Sequence, residues 1–231
     1  MMPEEPLNFY GDTFIPTTGQ HGGSISEQRI DELDQACLDF VKSLMSEKKL
    51  CQAVDIGGGS GAQSKRMAML EASVLLIDFT NQEQSIAEFN RSLSRPAIRF
   101  LQRDVRDIND EEWPTPIHCV YSQRMLGCIT YQDTLQLLTF LKSKSSSDAL
   151  FFLSTAGLDT EYGADYPDRD KPVERRFAHL LPNMAAKHGI YAPECLYRER
   201  DLRQIVEQAG LVSLRSWTST FGNPKIIARM S

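Results

Sequence analysis

The chain has 231 residues, of which 41% are apolar and 24% are charged, and its formal net charge at pH 7 is −6. That length is enough for one domain with a full hydrophobic core, and we expect a single domain. Acidic and basic residues are interspersed, so the chain lacks the concentrated positive charge that attracts a phosphate backbone over a distance. The composition therefore disfavours bulk binding of nucleic acid. A local basic groove is still compatible with this composition.

Cysteine usage and hydropathy bear on the cellular environment. The five cysteines are scattered, odd in number and without C-x-x-C or Cys/His ligand spacing, which indicates reduced thiols and no bound metal. No apolar run approaches the roughly 20 residues that a membrane span needs, and the first residues lack the basic and apolar parts of a signal peptide. We therefore expect a soluble cytoplasmic protein with no membrane partner.

The amino-terminal region divides into a leader and a helix. Residues 1–25 are rich in Pro, Gly and Thr but contain aromatic residues, which favours an ordered lid over a disordered leader. A helix follows to about Met45, with Ser24 or Ser26 as its candidate cap and apolar residues at helical spacing. We expect residues 1–48 to form a lid and a helix that packs one face on the core.

The stretch AVDIGGGSGA, residues 53–62, is the strongest indication of a ligand site. A short apolar run ends in an acid and is followed by glycines at alternate positions and a helix-compatible segment, which predicts strand, tight turn and helix start. Glycines at 57, 59 and 61 lack a Cβ, so the backbone can adopt positive φ and lie close to a bound molecule. The first helical turn presents unpaired N–H groups to the same place.

Two classes of cofactor use a turn of this kind. Gly57, Gly59 and Ala62 satisfy the dinucleotide fingerprint, and Asp78 stands at about the distance expected of its ribose-binding acid, roughly 20 residues on. Asp55, two residues before the first glycine, would repel a pyrophosphate and suits a cation. The spacing therefore favours a cofactor with a positively charged end, and a nicotinamide dinucleotide is the alternative.

With this D-x-G-x-G-x-G turn, the chain resembles the class I S-adenosylmethionine-dependent methyltransferases from about Cys51 to Met230. The resemblance implies a Rossmann-like α/β fold: a seven-stranded sheet with helices on both faces, a C-terminal antiparallel hairpin strand and an N-terminal helical lid. It implies that residues 49–231 bind S-adenosylmethionine and transfer its methyl group in line to an O or N atom of a small-molecule acceptor. A protein or RNA acceptor, and a non-catalytic binder of the cofactor, are the alternatives.

The next two predicted strands are each followed by an acid. The second strand, 73–77, ends at Asp78, whose carboxylate can accept hydrogen bonds from both ribose hydroxyls. The third, 98–102, is followed by Asp104 and Val105. The resemblance implies that Asp104 bonds the adenine amino group and that Val105 packs near the ring, with Asp107 competing for the same register.

A fourth strand, 117–122, leads to the expected reaction site. Ligands of open α/β sheets bind at the carboxyl ends of strands, so the reactive methyl should face residues 122–125. His118 stands where the family often has an acid, and it is interpreted as a strand-edge residue. The absence here of an N-P-P-Y-type tetrapeptide disfavours a nucleic-acid or glutamine acceptor. The predicted cofactor-binding residues are Asp55, Gly57, Gly58, Gly59, Gly61, Asp78, Phe79, Asp104, Val105 and Ser122, and the predicted acceptor-binding residues are Tyr10, Gln123, Arg124 and Tyr131.

The remaining chain predicts a helix over 132–143, a polar turn over 144–148 and a buried fifth strand over 149–154. Residues 158–193 lose all periodicity and concentrate Tyr, Asp, Arg and His, which favours an ordered substrate insertion with a helix around 173–188. The chain then predicts a last helix and two strands in an antiparallel hairpin.

A general base is needed only when the acceptor arrives protonated. The candidates are His21 in the leader and His179 or His188 in the insertion, because imidazole titrates in the right range. Nothing in the sequence selects one of them, so no catalytic residue is assigned.

Overall fold

The computed structural model of the chain describes residues 28–47 and 50–231. The predicted lid, with Tyr10, His21 and the serines at 24 and 26, lies outside these residues. The elements are α1 (Glu32–Ser46), β1 (Gln52–Ile56), α2 (Ala62–Met69), β2 (Ser73–Asp78), α3 (Glu83–Ser92), β3 (Ile98–Gln102), β4 (Ile117–Gln123), α4 (Tyr131–Lys144), β5 (Ser145–Ser154), α5 (Pro182–His188), α6 (Glu199–Gln208), β6 (Leu211–Thr218) and β7 (Pro224–Met230).

The strands form one seven-stranded sheet in the order β3-β2-β1-β4-β5-β7-β6. Strands β1 to β5 are parallel to one another, whereas β7 runs antiparallel to both β5 and β6. The strand order reverses between β1 and β4, which is where open α/β sheets bind ligands. The predicted fold class, a doubly covered seven-stranded sheet with a C-terminal antiparallel hairpin, is confirmed.

The two faces of the sheet bury separate apolar layers. In β2, Leu75 and Ile77 pack in the layer covered by α4 and α6, whereas Val74 and Leu76 pack in the layer covered by α1, α2 and α3. Alternate side chains of a strand point to opposite faces, so a strand buried on both sides is apolar throughout. The central strands β1, β2 and β4 follow this pattern, and their predicted positions agree with the structure to within one or two residues.

The start of α1 differs from the prediction. Asp31 is the N-cap of this helix: its Oδ1 accepts the N–H groups of Leu33 (2.8 Å) and Asp34 (3.2 Å). Asp34 returns the bond by accepting the N–H of Asp31 at 2.8 Å, which completes a capping box. Ile30 is 54% exposed and lies before the helix, so the apolar stripe begins at Leu33.

The polar residues 145–148 were predicted as a turn, which was wrong. They belong to β5, where Ser145 pairs with Ile117 across an irregularity in the ladder. Ser147 and Asp148 are exposed, which accounts for the polar sequence at this end of the strand. Within the described residues no helix is both long and apolar enough to cross a bilayer.

The single helix predicted around 173–188 was also wrong. The segment contains a 3₁₀ turn at Val173–Arg175 and the short helix α5, separated by extended backbone. Pro182 is the reason: it occupies the first turn of α5 and holds the preceding Leu181 at ψ 147°, outside the helical region. The insertion buries its own apolar cluster, which includes Leu158, Tyr166 and Leu180.

A buried ion pair connects the insertion to α6. Arg176 donates from Nη1 to Asp201 Oδ2 at 2.6 Å, and the two side chains are 3% and 6% exposed. The guanidinium also donates to the carbonyls of Lys171 (2.8 Å) and Leu196 (3.2 Å). Asp201 in turn accepts the N–H of Arg198 at the start of α6, so one pair orders both segments.

We expect Arg176→Met to lower the free energy of unfolding by roughly 3–5 kcal/mol, because it leaves the Asp201 carboxylate buried without its cation. Urea unfolding followed by circular dichroism measures the change. The matched control is Arg175→Met, whose side chain is exposed and whose loss should cost less than about 0.5 kcal/mol. Equal effects of the two substitutions would contradict the role of the pair.

Candidate functional site

A cavity of about 420 Å³ lies at the carboxyl edge of the parallel strands. Its volume is within the range of small-molecule sites, roughly 300–1,000 Å³. The lining comes from the ends of all five parallel strands, from α1 and α2, and from the insertion and the residue that follows it. It includes Asp34, Asp55, Gly57, Gly58, Gly59, Gln63, Asp78, Phe79, Thr80, Asp104, Val105, Arg106, Tyr121, Gln123, Arg124, Met125, Cys128, Ile129, Ala156, Tyr162, Ile190, Tyr191 and Glu194.

The glycine turn is shaped by a close approach of two loops. Gly57 has φ +68°, and a Cβ built on it would lie 2.3 Å from the Cβ of Met125 in the turn after β4. Glycine is the residue that fits here, because it adopts this positive φ without strain and has no Cβ to collide with Met125. Gly61, with φ +77°, is the N-cap of α2 and packs against Leu76 and Ile86, away from the cavity. The turn therefore presents Gly57, Gly58 and Gly59 to a ligand.

Asp55 lies beneath this turn and is fully buried. Its Oδ2 accepts a 2.6 Å hydrogen bond from the Ser64 hydroxyl, whereas its Oδ1 has no hydrogen-bond donor among the described residues. Burial raises the pKa of Asp55 to about 7, against the opposing effect of the Ser64 bond. A buried acceptor without a partner at the edge of a cavity is a place where a ligand donor or cation fits.

Asp78 joins the end of β2 to the glycine turn. Its Oδ2 accepts the N–H of Gly59 at 2.8 Å, and its Oδ1 accepts the N–H and the hydroxyl of Thr80 at 2.8 and 2.6 Å. Each carboxylate oxygen has two lone pairs, so Oδ1 is fully used and Oδ2 can still accept one hydrogen bond from a ligand hydroxyl. Phe79, 56% exposed, extends the lining beside it.

The ends of β3 and β2 are adjacent, which places Asp104 and Val105 on the cavity wall. Arg106 donates from Nε to Asp104 Oδ1 at 2.9 Å and from Nη2 to Oδ2 at 2.6 Å, a two-point pair that lowers the pKa of Asp104. Asp107 is exposed and outside the lining, so of the two competing acids the structure brings Asp104 to the cavity.

The end of β4 supplies Gln123 and Arg124. The amide of Gln123 donates to Asp31 Oδ2 at 2.6 Å, and the same carboxylate is paired with Lys225 of β7. Arg124 has φ +68°, an unusual angle for a residue with a side chain. Such backbone strain is often found at functional sites.

Three predicted site residues are outside the cavity lining. Gly61 is in the helix cap, and Ser122 is fully buried, with its hydroxyl donating to the carbonyl of Ile56 at 3.0 Å. Tyr131 begins α4, stacks its ring on Tyr197 and donates to Gln208 at 2.9 Å. The structure therefore places Tyr131 in the core between α4 and α6 and not at an acceptor site.

Several lining residues were missed by the sequence reasoning. Asp34 is 4% exposed and accepts the hydroxyl of Tyr121, while Gln63 donates to the carbonyl of Asp34 at 3.0 Å. Burial and the charge of Asp31 raise the pKa of Asp34. One signal was available: Asp34 is an acid within the apolar stripe of α1. Glu194 and Cys128 gave no comparable signal.

The described histidines do not line the cavity. His118 accepts the N–H of Gln52 at 3.1 Å, near the opposite edge of the sheet. His179 is exposed and within 2.8 Å of the carbonyl of Tyr191, and His188 lies 2.7 Å from Glu161, with burial lowering its pKa. Residues 28–47 and 50–231 contain no group of three His, Cys, Asp or Glu side chains placed to hold a metal ion.

No protein-family model and no curated protein matches the chain, but solved structures do. The chain is similar to magnesium protoporphyrin IX methyltransferase (ChlM) from Synechocystis PCC 6803 with bound SAH, at 16% identity and a TM-score of 0.56 over 88% of this chain and 89% of that one. It is similar to Burkholderia thailandensis 1,6-didemethyltoxoflavin-N1-methyltransferase with bound 1,6-didemethyltoxoflavin and S-adenosylhomocysteine, at 12% identity and a TM-score of 0.59 over 95% and 93%.

A third similar structure is the mitomycin 7-O-methyltransferase MmcR, at 15% identity and a TM-score of 0.56 over 85% of this chain. The chain spans just over half the length of MmcR (54%) and of the methyltransferase SibL (55%). At these identities the likeness establishes the fold. The chain has the Rossmann-like fold of the class I methyltransferases.

The pKa of Asp55 gives a prediction for stability. In an unfolded chain an aspartate has a pKa of about 4, whereas in the folded chain the pKa of Asp55 is about 7. Between pH 4 and pH 7 the folded chain binds a proton on Asp55 that the unfolded chain does not bind. The stability gained from this proton is complete below pH 4 and is lost as the pH rises through 7. Asp55→Asn removes this term.

We expect the unfolding free energy of the wild type, relative to that of Asp55→Asn, to fall by roughly 2–3 kcal/mol from pH 5 to pH 8. Urea unfolding at both values measures the difference. Asp39→Asn on the exposed face of α1 is the control and should follow the wild type. Parallel pH profiles for wild type and Asp55→Asn would show that Asp55 titrates normally.

Proposed function

We propose that the chain, which has the fold of the class I S-adenosylmethionine-dependent methyltransferases, binds S-adenosylmethionine in this cavity and transfers its methyl group to an oxygen or nitrogen atom of a small-molecule acceptor. The observation that carries the proposal is the buried Asp55 beneath the glycine turn, with an oxygen that no described residue bonds. A dinucleotide would bring its pyrophosphate to the same turn, where it would hold this acid in its uncharged form and gain no pairing from it. A cationic ligand would stabilise the charged form and pair with that oxygen.

The arrangement of residues along the sheet supports the same ligand. Asp104 and Val105 lie at the end of β3 and would hold the adenine, and Asp78 at the end of β2 would hold the ribose. Gly57, Gly58 and Gly59 would face the methionine portion. Because β3, β2 and β1 are consecutive neighbours, one extended nucleoside can contact all three strand ends.

The chemistry needs little from the protein beyond placement. When bound, S-adenosylmethionine supplies a methyl group on a positively charged sulfur, which is an excellent leaving group. Beyond β4, Met125, Ile129 and Ala156 would supply an apolar wall for the acceptor, and Gln123 and Arg124 would supply polar contacts. Positioning of this kind can supply a large part of a barrier reduction.

The similar structures favour a small acceptor. One is described as an O-methyltransferase of mitomycin and another as an N-methyltransferase with its heterocyclic substrate bound. We propose that residues 158–193 supply the acceptor wall and that residues 1–48 contribute a lid and the helix α1. We also propose a cytoplasmic location, on the scattered and odd-numbered cysteines of the sequence.

A protein that binds the cofactor without transferring methyl groups is the second candidate. It is favoured by the absence of histidine from the described cavity lining. Turnover separates the two: formation of S-adenosylhomocysteine above background across a panel of hydroxylated and amino-substituted aromatic metabolites supports the enzyme. A non-catalytic binder forms none, and a protein or RNA acceptor is the alternative when only macromolecules are methylated.

Calorimetric titration tests the cofactor. We expect saturable binding of S-adenosylmethionine and S-adenosylhomocysteine and none of NADH. Gly57→Ala should abolish the binding, because the new Cβ would collide with Met125. Gly210→Ala is the matched control: Gly210 also has positive φ, but a Cβ there would meet only the flexible end of Lys142, far from the cavity. Binding of NADH alone would overturn the proposal.

Asp104 and Asp107 offer a second test within the same 3₁₀ segment. Asp104→Ala should weaken S-adenosylhomocysteine roughly tenfold or more, because it removes a charged hydrogen-bond acceptor from the adenine end of the cavity. Asp107→Ala, the exposed neighbour, should leave the affinity unchanged. The affinities are measured by the same titration. Equal losses of affinity in the two variants would show that the adenine binds elsewhere. A loss confined to Asp107→Ala would show that Asp107, and not Asp104, binds the adenine.

A further inference from the structure

The cavity has a second half that the proposed cofactor contacts do not account for. The contacts proposed for adenine, ribose and methionine lie at β3, β2 and β1, whereas β4 and β5 are on the other side of β1. Residues after β4 and β5 and from the insertion line this acceptor half. Among the described residues of that lining, Arg124 is the basic one, and it directly follows β4.

The backbone holds Arg124 in an uncommon conformation. Its φ is +68°, and it is the N-cap of the 3₁₀ turn Met125–Cys128. Its N–H donates to the carbonyl of Ser154 in β5 at 2.9 Å, while the next residue packs against Gly57. Left-handed backbone is costly for a residue with a side chain and persists where the surrounding structure enforces it. The position of Arg124 is therefore fixed by β5 and by the glycine turn.

The guanidinium of Arg124 has no hydrogen bond or ion pair within the part of the chain that the structure describes. Two acids line the cavity beside β4, and both have other partners: Asp34 accepts the hydroxyl of Tyr121, and Glu194 accepts the thiol of Cys128 at 3.4 Å. These acids are 4% and 2% exposed, whereas Arg124 is only half-buried. A ligand entering this half therefore meets the charge of Arg124 first.

Two neighbouring groups show where the charge of Arg124 acts. Burial raises the pKa of Cys128, and the positive charge of Arg124 opposes that rise. Burial lowers the pKa of His188 at the end of α5, and the charge of Arg124 adds to the lowering. The guanidinium therefore acts on both the turn after β4 and the insertion, between which the acceptor half lies.

The shape and charge of the guanidinium define the group that would bind it. It is planar and presents a fork of N–H donors, which matches the two oxygens of a carboxylate. One guanidinium balances one negative charge, so a carboxylate is matched better than a phosphate ester, which carries more than one charge at pH 7. Ile129, Ala156 and Ile190 line the same half and suit an apolar body.

The cofactor brings a carboxylate of its own, in its methionine portion. Arg66 of α2 lines the cavity on the side of the glycine turn, so that side has its own cation. Arg124 lies across β1 from the strands that face the adenine and the ribose. Its position therefore favours the acceptor as its partner.

We propose that the methyl acceptor is a small organic acid, and that the guanidinium of Arg124 binds its carboxylate through paired hydrogen bonds. This inference rests on the proposed function, because it takes the β4 side of the cavity to be the acceptor side. The carboxylate anchors the molecule, and its apolar body packs against Ile129, Ala156 and Ile190. Arg124 is in this way a residue of acceptor recognition, and the cofactor half of the cavity is independent of it.

The test uses pairs of compounds that differ in the carboxylate: benzoate and benzamide, indole-3-acetate and indole-3-acetamide, cyclohexanecarboxylate and cyclohexanecarboxamide. Dissociation constants are measured by ligand-observed NMR on the full chain with saturating S-adenosylhomocysteine, which keeps the acids out of the cofactor half. We expect at least one acid to bind wild type roughly tenfold or more tightly than its amide, as for hydrogen bonds between charged groups. Arg124→Gln should abolish that preference, and Arg124→Lys should retain part of it.

Arg103→Gln is the matched control, because Arg103 lines the β3 end of the same cavity and should leave the preference for the acid intact. Thermal unfolding confirms that each variant is folded. Arg124→Asn serves where Arg124→Gln does not fold, since asparagine accepts left-handed backbone more readily. Calorimetric affinity for S-adenosylhomocysteine should be the same in wild type and Arg124→Gln. Its absence in wild type would count against the proposed function, whereas the compound pairs, then measured without it, report on Arg124 separately.

Three results overturn the inference. Acids that bind wild type no more tightly than their amides, or that do not bind at all, would show that the acceptor half does not select a carboxylate. A preference that survives in Arg124→Gln, or that is lost equally in Arg103→Gln, would assign it to other charges of the cavity. A loss of affinity for S-adenosylhomocysteine in Arg124→Gln would assign the guanidinium to the carboxylate of the cofactor.

Discussion

The contact between the turn after β1 and the turn after β4 is the constraint on which the site depends. Met125 occupies the space that a Cβ on Gly57 would fill, so the two turns close on each other across the point where the strand order reverses. Both turns also contain positive φ angles, at Gly57 and at Arg124. This contact fixes how closely the end of β1 approaches the end of β4 at the cavity.

The acids around the cavity differ in charge because their surroundings differ. Asp104 faces a guanidinium and its pKa falls, whereas Asp55 is buried with one hydroxyl donor and its pKa rises. Asp34 shares its environment with Asp31, and burial together with that neighbour raises its pKa as well. One cavity therefore offers a fixed negative charge at the β3 end, and carboxyls whose pKa is raised under the glycine turn and beside α1.

Much of the fold followed from the sequence because its signals are local. Doubly buried strands are apolar runs, and the glycine turn and the acid after β2 stand at fixed offsets from strand ends. Asp104 could be proposed but not separated from Asp107, because that choice depends on which residue of a short 3₁₀ turn faces inward. Pro182 was a visible signal against the long helix predicted in the insertion, and the prediction did not use it.

The rest of the site depends on contacts between distant segments. Glu194 reaches the cavity because Cys195 bonds Gly127, and no local pattern encodes a bond across that sequence separation. Tyr131 was assigned to the acceptor from its position after β4, but helix α4 turns its ring toward Tyr197. Side-chain direction at the start of a helix is set by tertiary packing, which a single sequence does not display.

The protonation of Asp55 has a consequence for how a cation would be recognised. A positive group held against this carboxyl stabilises its charged form, so near neutral pH its arrival expels a proton to solvent. The heat of the event then includes the ionisation of whichever buffer takes up that proton, and occupancy becomes weaker as the solution is acidified. The bound cation therefore neutralises the charge of Asp55 within the protein, and the proton that Asp55 held is released to the solvent.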